Sequence, residues 1–250
     1  MARRLIDISS PLKAGIKSDP PHALPKIDYV DHHQTAPAMA EYMGVRVDQL
    51  PGGEYAAIER CAISTHNGTH LDAPYHYFST MNHALKPGGE PSWRIDEVPL
   101  ENFYTSAICL DLSHVPLKHA ITVPEMAAAL EVSGQEIRPR DTVLLYMATN
   151  DRLLGKPGYL HDFPGLALES VHWLADRGIL MFGVEAISPA PEGEPNYLAH
   201  MACAERGITH MECLANLDQL VGRGRFRFIG FPLKIRGGTA SPIRAVAVFD

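Results

Sequence analysis

The sequence predicts an α/β fold built on a mixed sheet, and three observations lead there. Apolar runs of strand length alternate along the chain with segments of helical periodicity. Pro and Gly punctuate the boundaries between them. No repeat, low-complexity tract or linker divides the chain, so residues 1–250 read as a single domain.

Taken in order, residues 5–9 read as a first strand. Residues 20–53 carry five prolines and read as a long irregular excursion. Long loops of this kind are often functional. Residues 55–64 read as a strand running into a curved loop, and 107–112 and 142–149 as apolar strands. Between these last two, Thr122 is placed to cap a helix over 123–130, with Pro124 in its first turn. Residues 164–177 are amphipathic, with Leu166, Val171, Leu174 and Ala175 inward, and Gly178 stops them. A buried strand at 180–185 follows. The Ala-rich segment 194–206, bounded by Pro195 and Gly207, reads as a helix, and 208–212 as a short strand. Residues 226–235 and 243–249 read as terminal strands. The densest cationic stretch, Arg223-Gly224-Arg225-Phe226-Arg227, alternates as an exposed strand edge would.

Composition narrows the function classes. A formal charge of −7 with no basic run argues against a nucleic-acid surface. No window reaches the apolar length of a membrane span. Met1-Ala2-Arg3-Arg4 lacks the apolar core of a signal peptide. Four cysteines, at 61, 109, 203 and 213, form no CxxC pair and sit among apolar neighbours. Each therefore reads as a small buried side chain in a reducing, cytoplasmic setting.

The chemistry concentrates in His66-Asn67-Gly68-Thr69-His70-Leu71-Asp72-Ala73-Pro74-Tyr75-His76. Imidazole and carboxylate together suit Zn²⁺, Mn²⁺ or Fe²⁺, and the same groups move protons in hydrolysis. The four groups fall at i, i+4, i+6 and i+10. A helix would aim the i+6 group away from the first pair. A straight strand would spread the set over roughly 33 Å, whereas metal ligands converge on bonds of about 2.0–2.2 Å. The segment must bend. Gly68 permits unusual backbone angles, and Pro74 is expected to bar a helix. Isolated histidines such as His22, His114, His119 and His172 read as surface or satisfied structural residues, as does the pair His32-His33. Cys203 and Cys213 flank the 200–212 region, where thiolate ligation stays open.

This pattern, His66-x-Gly68-Thr69-His70-x-Asp72-x-Pro74-x-His76, resembles the signature of the cyclase family of metal-dependent hydrolases, which includes bacterial kynurenine formamidase and isatin hydrolase. The likeness continues in Ile6-Asp7-Ile8-Ser9-Ser10-Pro11-Leu12, in Asp96-Glu97-Val98-Pro99-Leu100, in His200 followed by Glu212-Cys213-Leu214-Ala215-Asn216-Leu217, and in Ser241-Pro242-Ile243-Arg244-Ala245-Val246-Ala247. It implies a swivelling β/β/α architecture with flanking helices. It implies that His66, His70 and Asp72 hold a first Zn²⁺ or Mn²⁺, that Asp72 bridges to a second ion where two are bound, and that His200 and Glu212 complete the second position. It also implies that His76 is the acid/base group and that the protein is a homodimer or larger. Without the resemblance, Glu212 reads as a surface carboxylate. His210 would share its strand face but is left outside the ligand set.

The expected reaction is metal-dependent hydrolysis of the C–N bond of an amide, formamide or lactam, on a small aromatic substrate resembling isatin or N-formylkynurenine. A metal-dependent cyclase, dehydratase or lactone hydrolase, and a non-catalytic metal- or ligand-binding protein, are the alternatives. Unlike kynurenine formamidases, the turn Gly15-Ile16-Lys17-Ser18-Asp19-Pro20 holds no aromatic, and the 20–53 excursion is closer to the larger isatin-hydrolase-like members. Tyr29, His32, Tyr75 and Trp93 are candidate substrate contacts. His33, Tyr42, Met43, Tyr77 and Phe78 could also line a pocket, and Thr149-Asn150 could reach it from the other side.

Overall fold

The computed structural model describes residues 3–15, 19–83 and 85–249. Met1, Ala2 and the Ile16-Lys17-Ser18 part of the aromatic-free turn lie outside them. One mixed sheet organises the molecule. Its strands are β1 (Arg4–Asp7), β2 (His70–Asp72), β3 (Tyr104–Asp111), β4 (Thr142–Tyr146), β5 (Met181–Val184), β6 (Thr209–Glu212), β7 (Phe226–Ile229), β8 (Ala240–Pro242) and β9 (Val246–Phe249). Their order is β1-β9-β7-β3-β4-β5-β6-β2-β8. The four central strands β3 to β6 are parallel, and every other pairing in this sheet is antiparallel. The α-helices are α1 (His32–Met43), α2 (Pro74–Tyr77), α3 (Val123–Ser133), α4 (Thr149–Leu153), α5 (Leu168–Ala175) and α6 (Glu194–Arg206).

Parallel strands are covered on both faces, so they read as continuous apolar runs. Successive side chains divide between two cores. Ile108, Leu110, Val143, Leu145, Phe182 and Val184 face the layer of α3, α5 and α6. Ala107, Cys109, Leu144, Met181, Leu71 and Met211 face the opposite core with Phe228 and Ala247. Each fully buried aliphatic side chain contributes about 1.5–3 kcal/mol. Helix α6 spans the predicted residues, with Pro195 in its first turn and Gly207 closing it at φ +61°. In α3 the Glu125 carboxylate accepts from the N–H and Oγ–H of Thr122, as the capping position predicts.

Several expectations are corrected. The 20–53 excursion is not irregular throughout. Lys26–Val30 pairs antiparallel with Ile58–Ala62, and α1 follows with Asp31 as its cap, Gln34 reaching back, and Gly44 closing it. The predicted strand over 55–64 shrinks to Ile58–Ala62, is exposed along its length, and stands outside the main sheet. Pro74 does not bar a helix, because it occupies the first turn of α2, where its missing N–H has no partner to lose. The run over 142–149 stops at Tyr146, and Ala148 turns at φ +51° into α4. Residues 165–166 pair with 120–121 before α5 begins at Leu168. The cationic stretch is no edge, since β7 lies between β9 and β3, and Arg225 Nη1 grips the buried Asp141 at 2.7 and 2.8 Å. Cys61 is exposed, unlike the other three cysteines, and all four are free thiols.

Candidate metal centre

Two neighbouring strands frame the site. In the β6–β2 register His210 faces Asp72 and Glu212 faces His70, while Met211 faces Leu71. Residues directly opposite project to the same face. One face of this pair therefore carries two imidazoles and two carboxylates, and its other face carries the apolar Leu71 and Met211 into the core.

The chain before β2 bends to deliver His66. Gly68 sits at φ +61°, a region that only glycine enters freely. Asn67 is buried and pins the turn. It accepts from the Ser64 N–H and donates to Asp19 Oδ1 and the Ala23 carbonyl. Thr69 Oγ1 accepts from the Ser10 N–H and donates to the Cys213 carbonyl, tying the first strand's exit to the end of β6. After β2, the single turn of α2 brings His76 and Tyr77 over the same face, against α6, which supplies His200.

The side chains converge on Asp72, which is 1 % exposed. His66 Nδ1 lies 2.9 Å and His70 Nε2 3.4 Å from its Oδ1. His210 Nε2 lies 3.5 Å and His76 Nε2 3.7 Å from its Oδ2. His70 Nε2 is also 3.4 Å from Glu212 Oε2, and His210 Nε2 3.0 Å from Glu212 Oε1. The His200 ring stands 5.1 Å from that of His210 and 5.9 Å from that of His76. Within this group two sets offer atoms close enough to share an ion: Asp72 with His200, His210 and Glu212, and Asp72 with His66 and His76.

These residues fit a divalent metal. His70 Nε2 and both Asp72 oxygens are buried without a hydrogen-bond partner. Buried polar atoms left so are costly and rare. The 3.4 Å between His70 Nε2 and Asp72 Oδ1 is long for a hydrogen bond. It matches the roughly 3.3–3.6 Å edge of a tetrahedron whose bonds are about 2.0–2.2 Å. Second contacts set the tautomers. His70 Nδ1 lies 2.8 Å from the Gly68 carbonyl and His200 Nδ1 2.8 Å from the Asn196 carbonyl. A carbonyl only accepts, so both rings keep the proton on Nδ1 and leave Nε2 free to ligate.

Electrostatics agree with a cation-ready site. Burial raises the Asp72 carboxyl, but the imidazoles of His66, His70 and His76 crowded around it outweigh burial and hold the group well below the usual range. Glu212 is likewise lowered to about 2, with burial opposed by His210 and His70. His76 is pushed down to about 4, first by burial and then by His66 and His200, against the pull of Asp72. Burial lowers His200 too.

The structure brings together His66, His70, Asp72, His76, His200 and Glu212. It adds His210, whose signal was its two-residue spacing from Glu212 on a strand, and Tyr77, whose hydroxyl lies 2.8 Å from His210 Nδ1. A cavity of about 380 Å³ opens beside it, lined by His76, Tyr77, Gly193, Asn196, Tyr197 and His200. A smaller one of about 90 Å³, lined by His66, His70, Glu212 and Cys213 among others, lies on another side. The four candidate substrate contacts line neither cavity. Tyr29 is 67 % exposed on the 26–62 ribbon, and His32 opens α1 in solvent. Trp93 packs against the core, and Tyr75 lies under the Arg94 guanidinium. Asn150 donates to the Leu214 carbonyl just beyond β6.

Residues 6–191 match the family described as "Putative cyclase". The kynurenine formamidase of Salinibacter ruber is 31% identical over 192 residues, 74% of this chain and 76% of that one. The kynurenine formamidase of Erythrobacter litoralis is 27% identical over 251 residues, 98% of this chain and 93% of that one. Among solved structures, isatin hydrolase A from Ralstonia solanacearum superimposes with a TM-score of 0.77 at 25% identity, covering 99% of this chain and 92% of that one.

Proposed function

From the premise that this chain belongs to the Cyclase family, we propose that it is a metal-dependent hydrolase cleaving the C–N bond of an amide, formamide or lactam. The observation that carries this reading is the buried cluster in which His70 Nε2 and both oxygens of Asp72 have no hydrogen-bond partner. In the proposal His66, His70 and Asp72 hold one Zn²⁺ or Mn²⁺. Where a second is bound, Asp72 bridges to it and His200 and Glu212 complete its site. A bound divalent ion supplies an acidified water at neutral pH and polarises the carbonyl under attack.

The chain's own groups do the rest. His76 lines the 380 Å³ cavity. With its imidazole pushed down to about 4, it is neutral at pH 7. A neutral imidazole there can take a proton from the attacking water and return it to the leaving nitrogen, which is too basic to depart as an anion. Asp72 and Glu212 supply the negative charge that holds a dication, and Gly68 and Asn196 fix the rings of His70 and His200. Tyr77 and Tyr197 line the same cavity, and the Tyr197 ring meets that of Phe78 edge to face, 6.3 Å apart. Aromatic walls suit a planar substrate. This supports an isatin-like or N-formylkynurenine-like ligand, in line with the names of the relatives.

The proposal extends to a homo-oligomer, supported by the five exposed residues of Ile58–Ala62 on a ribbon outside the main sheet, and to a reducing cytoplasm, supported by four free thiols. No helix among the described residues is long and apolar enough to cross a membrane. Light scattering tests the first of these.

The functional test follows isatin ring opening and N-formylkynurenine deformylation by ultraviolet absorbance, before and after chelation and after adding back Zn²⁺ or Mn²⁺. Turnover that chelation removes and metal restores is expected. Turnover untouched by chelation contradicts the proposal. Metal uptake with no hydrolysis of any amide, lactam or imide favours the cyclase or binding-protein alternatives.

A further inference from the structure

Three buried or half-buried histidines stand on the helix-covered side of the site, and their ring nitrogens face different partners. His70 and His200 each turn Nδ1 toward a backbone carbonyl, at 2.8 Å in both cases. That partner accepts only, which frees Nε2 for a metal. His210 is arranged the other way round. Its Nε2 lies 3.0 Å from Glu212 Oε1, a carboxylate oxygen that can only accept. Its Nδ1 lies 2.8 Å from the Tyr77 hydroxyl, which can donate, and 3.8 Å from the Cys203 thiol, a weak donor. Both sides of the ring therefore ask for a proton on Nε2. Within the cluster, the buried atoms left without partners are His70 Nε2 and the two Asp72 oxygens, and His210 Nε2 is not among them.

We propose that His210 is not a metal ligand, although it lies within ligand range, but a positioning residue: the chain Tyr77 O–H to His210 Nδ1, and His210 Nε2–H to Glu212 Oε1, orients Glu212 so that its other oxygen, Oε2, faces the metal beside His70. This rests on the metal-site reading above. The surroundings suit the role. His210 is fully buried, its ring nearly parallel to that of Tyr77 at 5.2 Å and inclined 24° to that of Phe182 at 5.5 Å. A ring so confined has little freedom to swing toward an ion. Glu212 splits its duties in turn. Oε1 accepts the His210 proton, and Oε2 turns into the metal-binding cluster, 3.4 Å from His70 Nε2. Hydrogen bonds of this outer kind set the direction and basicity of a ligating carboxylate, and their loss typically costs 10–100-fold in metal affinity.

The test uses the full-length protein and two readouts. Zn²⁺ affinity is measured by competition with a chromophoric chelator, and the ligand set by the visible absorption of the Co²⁺-loaded protein. The variants are His210→Ala, His210→Gln, whose terminal amide keeps an N–H donor near the Nε2 position, and Tyr77→Phe, with His70→Ala as the reference for a lost ligand. His210→Ala is expected to weaken Zn²⁺ binding about 10–100-fold, His210→Gln to restore most of it, and Tyr77→Phe to weaken it by less than His210→Ala. The Co²⁺ bands of His210→Gln and Tyr77→Phe should match the wild type. If His210→Gln shifts those bands as His70→Ala does, His210 is a ligand and the proposal is overturned. Wild-type affinity in His210→Ala overturns it as well. A wild-type protein that takes up no Zn²⁺ or Co²⁺ overturns the metal-site reading itself, a distinct result. Should His210→Ala fail to fold, the Gln and Phe variants still decide the question.

Discussion

Glu185 should make the folded protein lose stability as pH rises. It is 2 % exposed at the end of β5, where Oε2 accepts from the Met147 and Thr149 N–H groups at 3.0 and 3.1 Å. Burial pushes its carboxyl from an ordinary 4.5 up to about 7, with Asp151 and Asp218 adding to the rise and the two N–H groups opposing it. Between those pH values the native state holds a proton that the unfolded chain has released. The native state then binds more protons, so unfolding free energy falls with rising pH across that window and levels off above it. Roughly two and a half pH units at about 1.4 kcal/mol each give a loss of about 3 kcal/mol. Glu185→Gln keeps an acceptor for both N–H groups and cannot ionise. Urea unfolding of wild type and variant, metal-free and at several pH values from 4.5 to 8, isolates the group, since all other titrations cancel in the difference. The variant should gain on the wild type by about 3 kcal/mol from the bottom of the window to the top. A pH-independent offset from the new amide is immaterial. A difference that stays flat with pH refutes the reasoning.

Other perturbations have equally definite outcomes. His76→Ala should retain metal, measured by plasma mass spectrometry, while turnover falls by about 10²–10⁴-fold, the usual worth of general acid–base catalysis. Unchanged turnover would remove His76 from the chemistry. Asp72→Ala should lose metal and activity together, because both of its oxygens face imidazoles of the cluster; full metal content in the variant would refute the assignment. Arg225→Ala should destabilise the protein by about 3 kcal/mol by stranding the buried Asp141 carboxylate, read as a lowered Tm, with metal content unaffected. An unshifted Tm would mean that Asp141 finds other partners.

What the sequence made legible was whatever lay contiguous in it. The 66–76 motif carries its ligands within eleven residues, so its chemistry reads directly. Helix α6 reads to its ends because Pro195 and Gly207 punctuate it. Pairings across the sheet were illegible from spacing alone. Glu212 meets His70 only because β6 lies antiparallel to β2, and His200 joins them from a helix. Helix α1 was missed although Asp31, Gln34 and Gly44 signal its ends, because Pro37 interrupts its interior and much of its surface is exposed, which blurs the apolar stripe. Pro74 misled for a related reason: a proline reads as a helix breaker unless the first turn is recognised around it. Arg225 looked like an edge cation because the carboxylate that binds it, Asp141, is far away in sequence.

The most direct measurement is the metal stoichiometry of the purified wild-type protein after chelation and dialysis against Zn²⁺ or Mn²⁺. Tight retention of one or two ions per chain is expected, with Asp72→Ala retaining none. No retention of either ion by the folded wild-type protein would contradict the reading of this cluster as a metal centre.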